Sequence, residues 1–169
     1  MHRLVQGLLD YATVTDDGLE PGPVSLDDVT RHVLALLAEP IAAAEARIEV
    51  ESPLGELVGY GELLGRLVQN LVANALKFRG DEPPKVVISV ARKDDELRLS
   101  VRDHGIGIAK HDQARIFEPF TRLHGRDRYD GTGLGLATCL RVAELHKARL
   151  EVTSSPGEGS CFTLVLRSS

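Results

Sequence analysis

LVQNLVANALKF, at residues 67–78, combines the spacing of a buried helix with polar residues that a core helix does not need. Its apolar residues recur every three or four positions, which predicts a helix packed on a core. Asn70, Asn74 and Lys77 stand at i, i+4 and i+7 and therefore form one stripe along that helix. Amide oxygens suit Mg²⁺ and a nearby lysine suits phosphate. The stripe either faces such a ligand or is a solvated surface with satisfied amides.

A carboxylate ends the strand predicted over 96–103. Apolar and polar residues alternate along this strand, and Asp103 falls on the apolar parity. A carboxylate on that face needs hydrogen-bond donors, such as a buried arginine or backbone amides, because its burial is otherwise costly. Gly105 and Gly107 follow at once, before Ile108, and allow a flat ligand to approach the backbone closely.

A basic loop and a second glycine-rich stretch come next. The loop over 121–130 carries Arg122 and Arg126 and is either a solvated surface or a mobile lid over phosphates. The start of the following helix is predicted to be an anion site, because its N–H groups are free and its dipole is positive there. The glycine-rich stretch consists of Gly131, Thr132, Gly133, Leu134, Gly135 and Leu136.

Composition excludes several classes of protein. The 169 residues allow one ordinary domain and a short extra element. A net charge of −5 and 4% aromatic residues argue against a nucleic-acid partner. Cys139 and Cys161 fit no zinc pattern and are expected to be reduced in a cytoplasmic protein, and no apolar run predicts membrane contact. No P-loop, dinucleotide fingerprint or hydrolase nucleophile elbow is present, and nothing else supports Asp103 and Glu118 as a hydrolytic acid–base pair.

The remaining patterns predict a two-layer α/β sandwich, with a mixed, mostly antiparallel sheet and helices on one face. Residues 16–23 are expected to be a linker, and residues 53–61 a turn-rich connection. Phe162, Leu164 and Leu166 are predicted to share the inward face of the last strand. Helices are predicted over 1–14, 26–45 with a break at Pro40, 61–78, 110–117 as one turn, and 135–146, and strands over 47–51, 85–92, 96–103, 150–154 and 160–166.

Four stretches, in this order, resemble the N, G1, F and G2 boxes of the ATP-binding catalytic domain of sensor histidine kinases. They are residues 70–78, 103–107, 117–120 and 131–136, and the resemblance covers about 24–167. This domain belongs to the superfamily of gyrase, Hsp90 and MutL, so the resemblance implies a Bergerat-type sandwich that binds ATP and Mg²⁺. Two shorter stretches, FRGDEPP at 78–84 and RLHGRD at 122–127, are similar to kinases attached to phytochrome- or PAS-type sensors.

The resemblance also implies a role for each site residue. Asn74, with Asn70 beside it, would hold Mg²⁺, and Asp103 would accept a hydrogen bond from the adenine amino group. Lys77 would contact phosphate, and Arg122 and Arg126 would contact phosphate from the lid. The residues implied in the adenine pocket are Phe78, Gly105, Gly107 and Ile108. The residues that would contact phosphate and form the hinge of the lid are Gly131, Thr132, Gly133, Leu134, Gly135 and Leu136.

The chain departs from the family at three places and lacks one residue. His104 stands where Asn is usual, Lys147-Ala148 replaces Gly-Gly, and Tyr60-Gly61 replaces an acidic start of the N-box helix. None of the six histidines has the context of the family's phosphoacceptor. Residues 1–18 are therefore expected to be the tail of a dimerisation helix and a linker. The chain is expected to bind Mg-ATP and to contain no catalytic phosphoacceptor.

The resemblance implies two partners, a phosphoacceptor and dimerisation domain and a downstream response regulator. Three other functions stay open at this point. They are a regulatory or scaffold module that binds ATP without phosphotransfer, a serine kinase of the anti-sigma type, and a partner-binding domain with a decayed pocket.

Overall fold

The structure is a computed structural model, which describes residues 2–123 and 133–167. The helices within these residues are α1 (His2–Ala12), α2 (Leu26–Leu36), α3 (Ala38–Ala43), α4 (Gly61–Lys77) and α5 (Gly135–Leu145). The strands are β1 (Gly22–Ser25), β2 (Arg47–Val50), β3 (Glu56–Gly59), β4 (Lys85–Lys93), β5 (Glu96–Asp103), β6 (Arg149–Ser154) and β7 (Ser160–Arg167).

In the described part of the chain, the larger sheet has five strands in the order β2-β4-β5-β7-β6. β2 runs parallel to β4, and every other neighbouring pair is antiparallel. β4 and β5 form a hairpin whose turn places Asp94 in the left-handed region, at φ 55°. The prediction of a mixed, mostly antiparallel sheet is confirmed.

α4 is the central helix of the second layer and contacts α2, α5, β4 and β5. Its apolar stripe is buried because it packs against the sheet and the neighbouring helices, as its 3.6-residue period predicts. This packing fixes the rotation of α4, so the amide stripe emerges at one edge of the core. The buried residues of α4 are Leu63, Leu64, Leu67, Val68, Leu71, Val72 and Ala75.

β7 is buried on both faces, whereas the sequence predicts one inward face. Every residue from Ser160 to Leu166 is buried. Val165 pairs with Arg98 on β5 and with Arg149 on β6, and both guanidinium groups bond to Glu151, at 2.7 and 3.2 Å. The apolar stems of the two arginines can cover Val165 while their charged ends stay paired at the surface.

The helix predicted over 26–45 is two helices. Ser25 caps α2 as predicted, because its Oγ accepts the N–H of Asp28 at 3.2 Å. The break falls at Leu37, not at Pro40. A proline cannot donate to the carbonyl four residues earlier, so Pro40 ends the first helix one turn upstream and sits in the first turn of α3.

Three connections differ from the prediction. The expected linker and turn-rich connection pair as β1 and β3, in a small antiparallel sheet that aligns Val24 with Leu57. Both strands have only four residues and contain glycine, so they are too short to show an alternating pattern. The single helical turn predicted over 110–117 is two separate 3₁₀ turns, Lys110–Asp112 and Arg115–Phe117.

A half-buried histidine joins the end of α5 to the start of α4. His146 Nε2 accepts the backbone N–H of Tyr60 at 3.0 Å, so the proton of the neutral ring lies on Nδ1, which donates to the Val142 carbonyl at 2.8 Å. A Cβ at Gly59 would lie 2.8 Å from this ring, so glycine is needed there. Burial lowers the pKa of His146. The neutral ring is therefore part of the folded structure.

Candidate functional site

A cleft of about 400 Å³ opens between α4, the loop after β5 and the start of α5. This volume is in the range of small-molecule sites. Twelve of the predicted site residues line it, namely Asn70, Asn74, Lys77, Phe78, Asp103, Gly107, Ile108, Arg122, Gly133, Leu134, Gly135 and Leu136. Arg126, Gly131 and Thr132 lie outside the described residues.

The amide stripe of α4 faces the first residue of α5. Asn70 Nδ2 donates to the Arg66 carbonyl at 2.9 Å, so the side-chain oxygen is its cleft-facing atom. A Cβ built at Gly135 would lie 3.2 Å from Asn70 Oδ1 and 3.9 Å from Asn74 Oδ1. Two amide oxygens thus converge beside a helix N-terminus, where phosphate oxygens are favoured.

This donor set fits Mg²⁺ held together with a phosphorylated ligand. The described residues contain no group of three or more His, Cys, Asp or Glu side chains that could hold a metal. Mg²⁺ in such sites takes one or two protein oxygens and completes its octahedron with phosphates and water. Asn74 and Asn70 can supply the protein oxygens.

Lys77 brings a positive charge to the same end of the cleft. Its side chain is half-buried, and its Nζ lies 4.8 Å from the centroid of the Phe78 ring. Burial lowers the pKa of Lys77, and the nearby charges of Arg122 and Arg3 lower it further. Three cations so close together disfavour one another and make this end of the cleft attractive to an anion.

Asp103 lines the same cleft, and backbone amides hold one of its oxygens. Oδ1 accepts the N–H groups of Gly105 at 2.9 Å and Ser160 at 3.3 Å. Burial raises the pKa of Asp103 in spite of these two bonds. Among the described residues, no lysine or arginine pairs with this carboxylate and no donor bonds to Oδ2. Oδ2 can therefore accept a hydrogen bond from a ligand.

Two glycines after β5 let three segments meet at Asp103. A Cβ at Gly105 would lie 2.2 Å from the Phe78 carbonyl, so this residue stands behind the cleft wall, not in it. Gly107 has φ +74°, and a Cβ there would lie 2.0 Å from the Ser155 carbonyl. Ile108 is fixed by its N–H, which donates to Ser154 Oγ at 2.8 Å. The loop after β5 is thus packed closely against the end of α4 and the end of β6.

Phe120 and Gly133, which flank the basic loop, are joined next to the cleft. The N–H of Phe120 donates to the Gly133 carbonyl at 2.9 Å. Gly133 has φ +75°, and a Cβ there would lie 2.7 Å from the Phe120 carbonyl carbon. Leu134 is the N-cap of α5, and its side chain makes no capping hydrogen bond to that helix. The N-terminus of a helix favours anions.

Sequence reasoning did not identify α1 as part of this site. Arg3, Gln6, Gly7 and Asp10 line the cleft. A signal was present, because Arg3, Gln6 and Asp10 stand at i, i+3 and i+7 on the polar side of an amphipathic helix. Ser160 was also missed, because its contribution is a backbone N–H that no side-chain motif reveals.

The three departures from the family pattern lie outside the cleft. His104 is exposed, and its Nδ1 lies 3.4 Å from the Lys85 carbonyl. Lys147 adopts φ 54°, the left-handed conformation that glycine takes most easily. Tyr60 starts α4 by donating its N–H to His146. None of the three lines the cleft among the described residues.

Within residues 2–123 and 133–167, each helix is too short or too polar to cross a membrane.

Comparison with known proteins identifies the family. The family model described as Histidine kinase-, DNA gyrase B-, and HSP90-like ATPase matches residues 59–169, about two-thirds of the chain. The chain is 40% identical over 162 residues to Cyanobacterial phytochrome A of Nostoc sp. (strain PCC 7120 / SAG 25.82 / UTEX 2576), which covers 96% of this chain and 21% of that protein. It thus spans about one fifth of the length of this relative.

Two solved structures share the fold. ShkA, crystallised at full length in complex with AMPPNP, superposes with a TM-score of 0.81 at 28% identity, over 98% of this chain and 36% of that one. The mycobacterial sensor histidine kinase MprB superposes with a TM-score of 0.73 at 25% identity, over 88% of this chain and 97% of that one. The resemblance carried by the four motifs is confirmed. This chain belongs to the family of histidine kinase-, DNA gyrase B- and HSP90-like ATPases, and within it to the histidine kinase ATPase domains.

Proposed function

We propose that this chain binds Mg-ATP in the cleft and donates the γ-phosphate to a histidine on a dimerisation domain of the same sensor kinase. A response regulator would then receive the phosphate. One observation carries the proposal: the same cleft is lined by a carboxylate with an oxygen available for a donor, by two amides and by cations. ATP needs both kinds of group, because its purine offers a hydrogen-bond donor and its triphosphate needs cations and a metal ion.

Each end has a defined set of contacts in this proposal. Asp103 Oδ2 accepts from the adenine amino group, while Gly107 and Ile108 border the base. Lys77 and the first turn of α5 bind the triphosphate. Asn74 and Asn70 hold Mg²⁺, which when bound neutralises part of the phosphate charge.

Catalysis by such a site consists of positioning and charge stabilisation. The bond between the γ-phosphorus and the β–γ bridging oxygen breaks, a bond to an imidazole nitrogen forms, and ADP leaves. No histidine lines the cleft within residues 2–123 and 133–167, which supports an acceptor supplied by another domain. The chain's own residues hold the donor in place and exclude alternative orientations.

We further propose that residues 1–18 are the tail of a dimerisation helix with its linker and that residues 24–167 are the ATP-binding domain. The apolar side of α1 supports this division, because Leu4, Val5, Leu8 and Leu9 are 44–56% exposed. Such a stripe suits a helical bundle. Free Cys139 and Cys161 suit a reducing cytoplasm.

Calorimetry with Mg-ATP, followed by phosphotransfer from labelled ATP, tests the proposal. The acceptor is the dimerisation domain of the parent kinase, supplied as a separate fragment. We expect binding and an acid-labile label on the fragment. Binding without label would favour a regulatory nucleotide module, and an acid-stable label on serine would favour an anti-sigma-type kinase. Absence of binding would indicate a decayed pocket.

A further inference from the structure

The polar side of α1 forms a wall of the nucleotide cleft. Arg3, Gln6 and Asp10 line it, and Gln6 Nε2 donates to Asp10 Oδ1 at 3.0 Å, which orders these two side chains along the helix. Arg3 lies one turn nearer the N-terminus. The motifs of the nucleotide site lie at least 60 residues away in sequence, so the fold alone brings α1 to them.

Arg3 belongs to the cationic end of the cleft. Its charge acts on Lys77 together with that of Arg122, and all three residues line the same cavity. Arginine suits phosphate because its planar guanidinium can donate two parallel hydrogen bonds. Among the residues that the structure describes, these cations line the same cavity as the two amides of α4 and the first residue of α5.

The C-terminal end of α1 is hydrogen-bonded to the domain, and the helix also contacts α5. No residue of α1 is buried. The guanidinium of Arg66, on α4, donates to the Asp10 carbonyl at 3.3 Å and to Thr13 Oγ1 at 3.0 Å, and Val14 is buried directly after the helix. A helix with so little buried surface can be repositioned at low cost, so a further contact can shift its equilibrium position.

We infer that Arg3 is a phosphate-binding residue of the cleft, so that α1 and the bound nucleotide stabilise each other. This inference rests on the proposed function, because it requires the triphosphate to occupy the cationic end. Linkage makes the effect reciprocal: a contact that strengthens nucleotide binding when α1 is docked also favours the docked helix when nucleotide is bound. A movement of α1 would then change nucleotide affinity directly.

Binding of Mg-ATP and of adenosine to Arg3→Ala, Arg3→Lys and Arg31→Ala tests this inference. We expect Arg3→Ala to weaken Mg-ATP binding about tenfold at low ionic strength, the effect of one charged hydrogen bond at an exposed site. Adenosine binding should not change, and Arg3→Lys should recover part of the loss. Arg31, an exposed arginine paired with Asp28 on α2, is the matched control and should have no effect.

Hydrogen exchange supplies the reciprocal measurement. Mg-ATP should slow exchange of the amides of α1 in the native chain and should slow it less in Arg3→Ala. If the native chain binds Mg-ATP and Arg3→Ala binds it equally well, the inference is wrong and the proposed function stands. Equal losses for ATP and adenosine would also overturn it, because they indicate a structural role. If the native chain binds no nucleotide, the proposed function itself fails.

Discussion

Replacing Asp103 with asparagine should change which purine the cleft prefers. The N–H groups of Gly105 and Ser160 can only donate, so they orient the new side chain with its oxygen in the place of Oδ1. The amide nitrogen then replaces Oδ2, the atom proposed to accept from the adenine amino group. A donor would face a donor, and ATP binding should weaken. The carbonyl oxygen at the same position of inosine triphosphate would instead meet a donor.

The size of the effect follows from the bond that is lost. A hydrogen bond to a charged group contributes about 1.5–3 kcal/mol, and each 1.4 kcal/mol is a factor of ten in affinity. Asp103→Asn should therefore weaken ATP binding by roughly 10- to 100-fold. Since the new donor also improves the contact with inosine triphosphate, the preference for ATP should fall by more than the loss of ATP affinity alone.

The variant should fold at least as well as the native chain. Burial raises the pKa of Asp103 in the folded state, so the native chain loses stability as the pH rises through that value. The amide does not ionise and avoids this loss. Equal or higher thermal stability at pH 7 would therefore accompany the weaker binding.

Isothermal titration calorimetry with both nucleotides measures the preference, and Asp28→Asn is the matched control. Asp28 is an exposed carboxylate on α2 that pairs with Arg31 away from the cleft. An unchanged ratio of ATP to inosine triphosphate affinity in Asp103→Asn would refute the assigned contact. Loss of binding with loss of the folded state would refute the orientation of the two backbone donors.

Three further changes test other parts of the structure. Asn74→Asp should weaken Mg-ATP binding at least tenfold in calorimetry, because it adds negative charge beside the triphosphate, whereas Gln69→Glu on the exposed side of α4 should not. Gly107→Ala should lower the free energy of unfolding in urea by roughly 2–4 kcal/mol, since the methyl group meets a carbonyl at 2.0 Å, whereas Gly157→Ala in open space should cost only about 1 kcal/mol of backbone strain. Burial lowers the pKa of His146 below 6.5. The contribution of the neutral ring to the free energy of unfolding is therefore complete above pH 6.5 and falls as the pH drops toward the folded-state pKa. In urea unfolding at several pH values, the native chain should lose stability more steeply on acidification than His146→Asn.

For each variant and its control, one result would contradict the prediction. Equal affinities for the two α4 variants would remove Asn74 from the phosphate end of the cleft. Equal costs for the two glycine variants would show that the loop after β5 relaxes around a side chain. Parallel pH profiles would show that the histidine is solvated in the folded state.

The spacing of apolar residues along the sequence predicts individual helices and strands. The period of α4 gave its limits nearly to the residue, and the alternation of β5 placed Asp103 on the apolar parity. The expected partners of that carboxylate were a buried arginine or backbone amides, and the structure has backbone amides, which both donate to Oδ1. One donor is 57 residues away in sequence, so no local pattern identifies it.

Long-range contacts account for the features that sequence did not predict. β1 and β3 form strands by pairing with each other, so the sequence of either segment alone does not predict a strand. The end of α1 that lines the cleft is bonded to Arg66 of α4, more than 50 residues away in sequence. On β7, Val165 lies between arginines of the two neighbouring strands, a placement that depends on the pairing of three strands. Each feature is a property of the assembled sheet and helices.

A crystal structure of this chain with Mg²⁺ and a non-hydrolysable ATP analogue tests the central claim most directly. The adenine amino nitrogen should lie about 3 Å from Asp103 Oδ2, with the triphosphate between Lys77 and the start of α5 and the metal on Asn74. A nucleotide bound elsewhere, or a purine that leaves Asp103 Oδ2 without a donor, would contradict the proposed site.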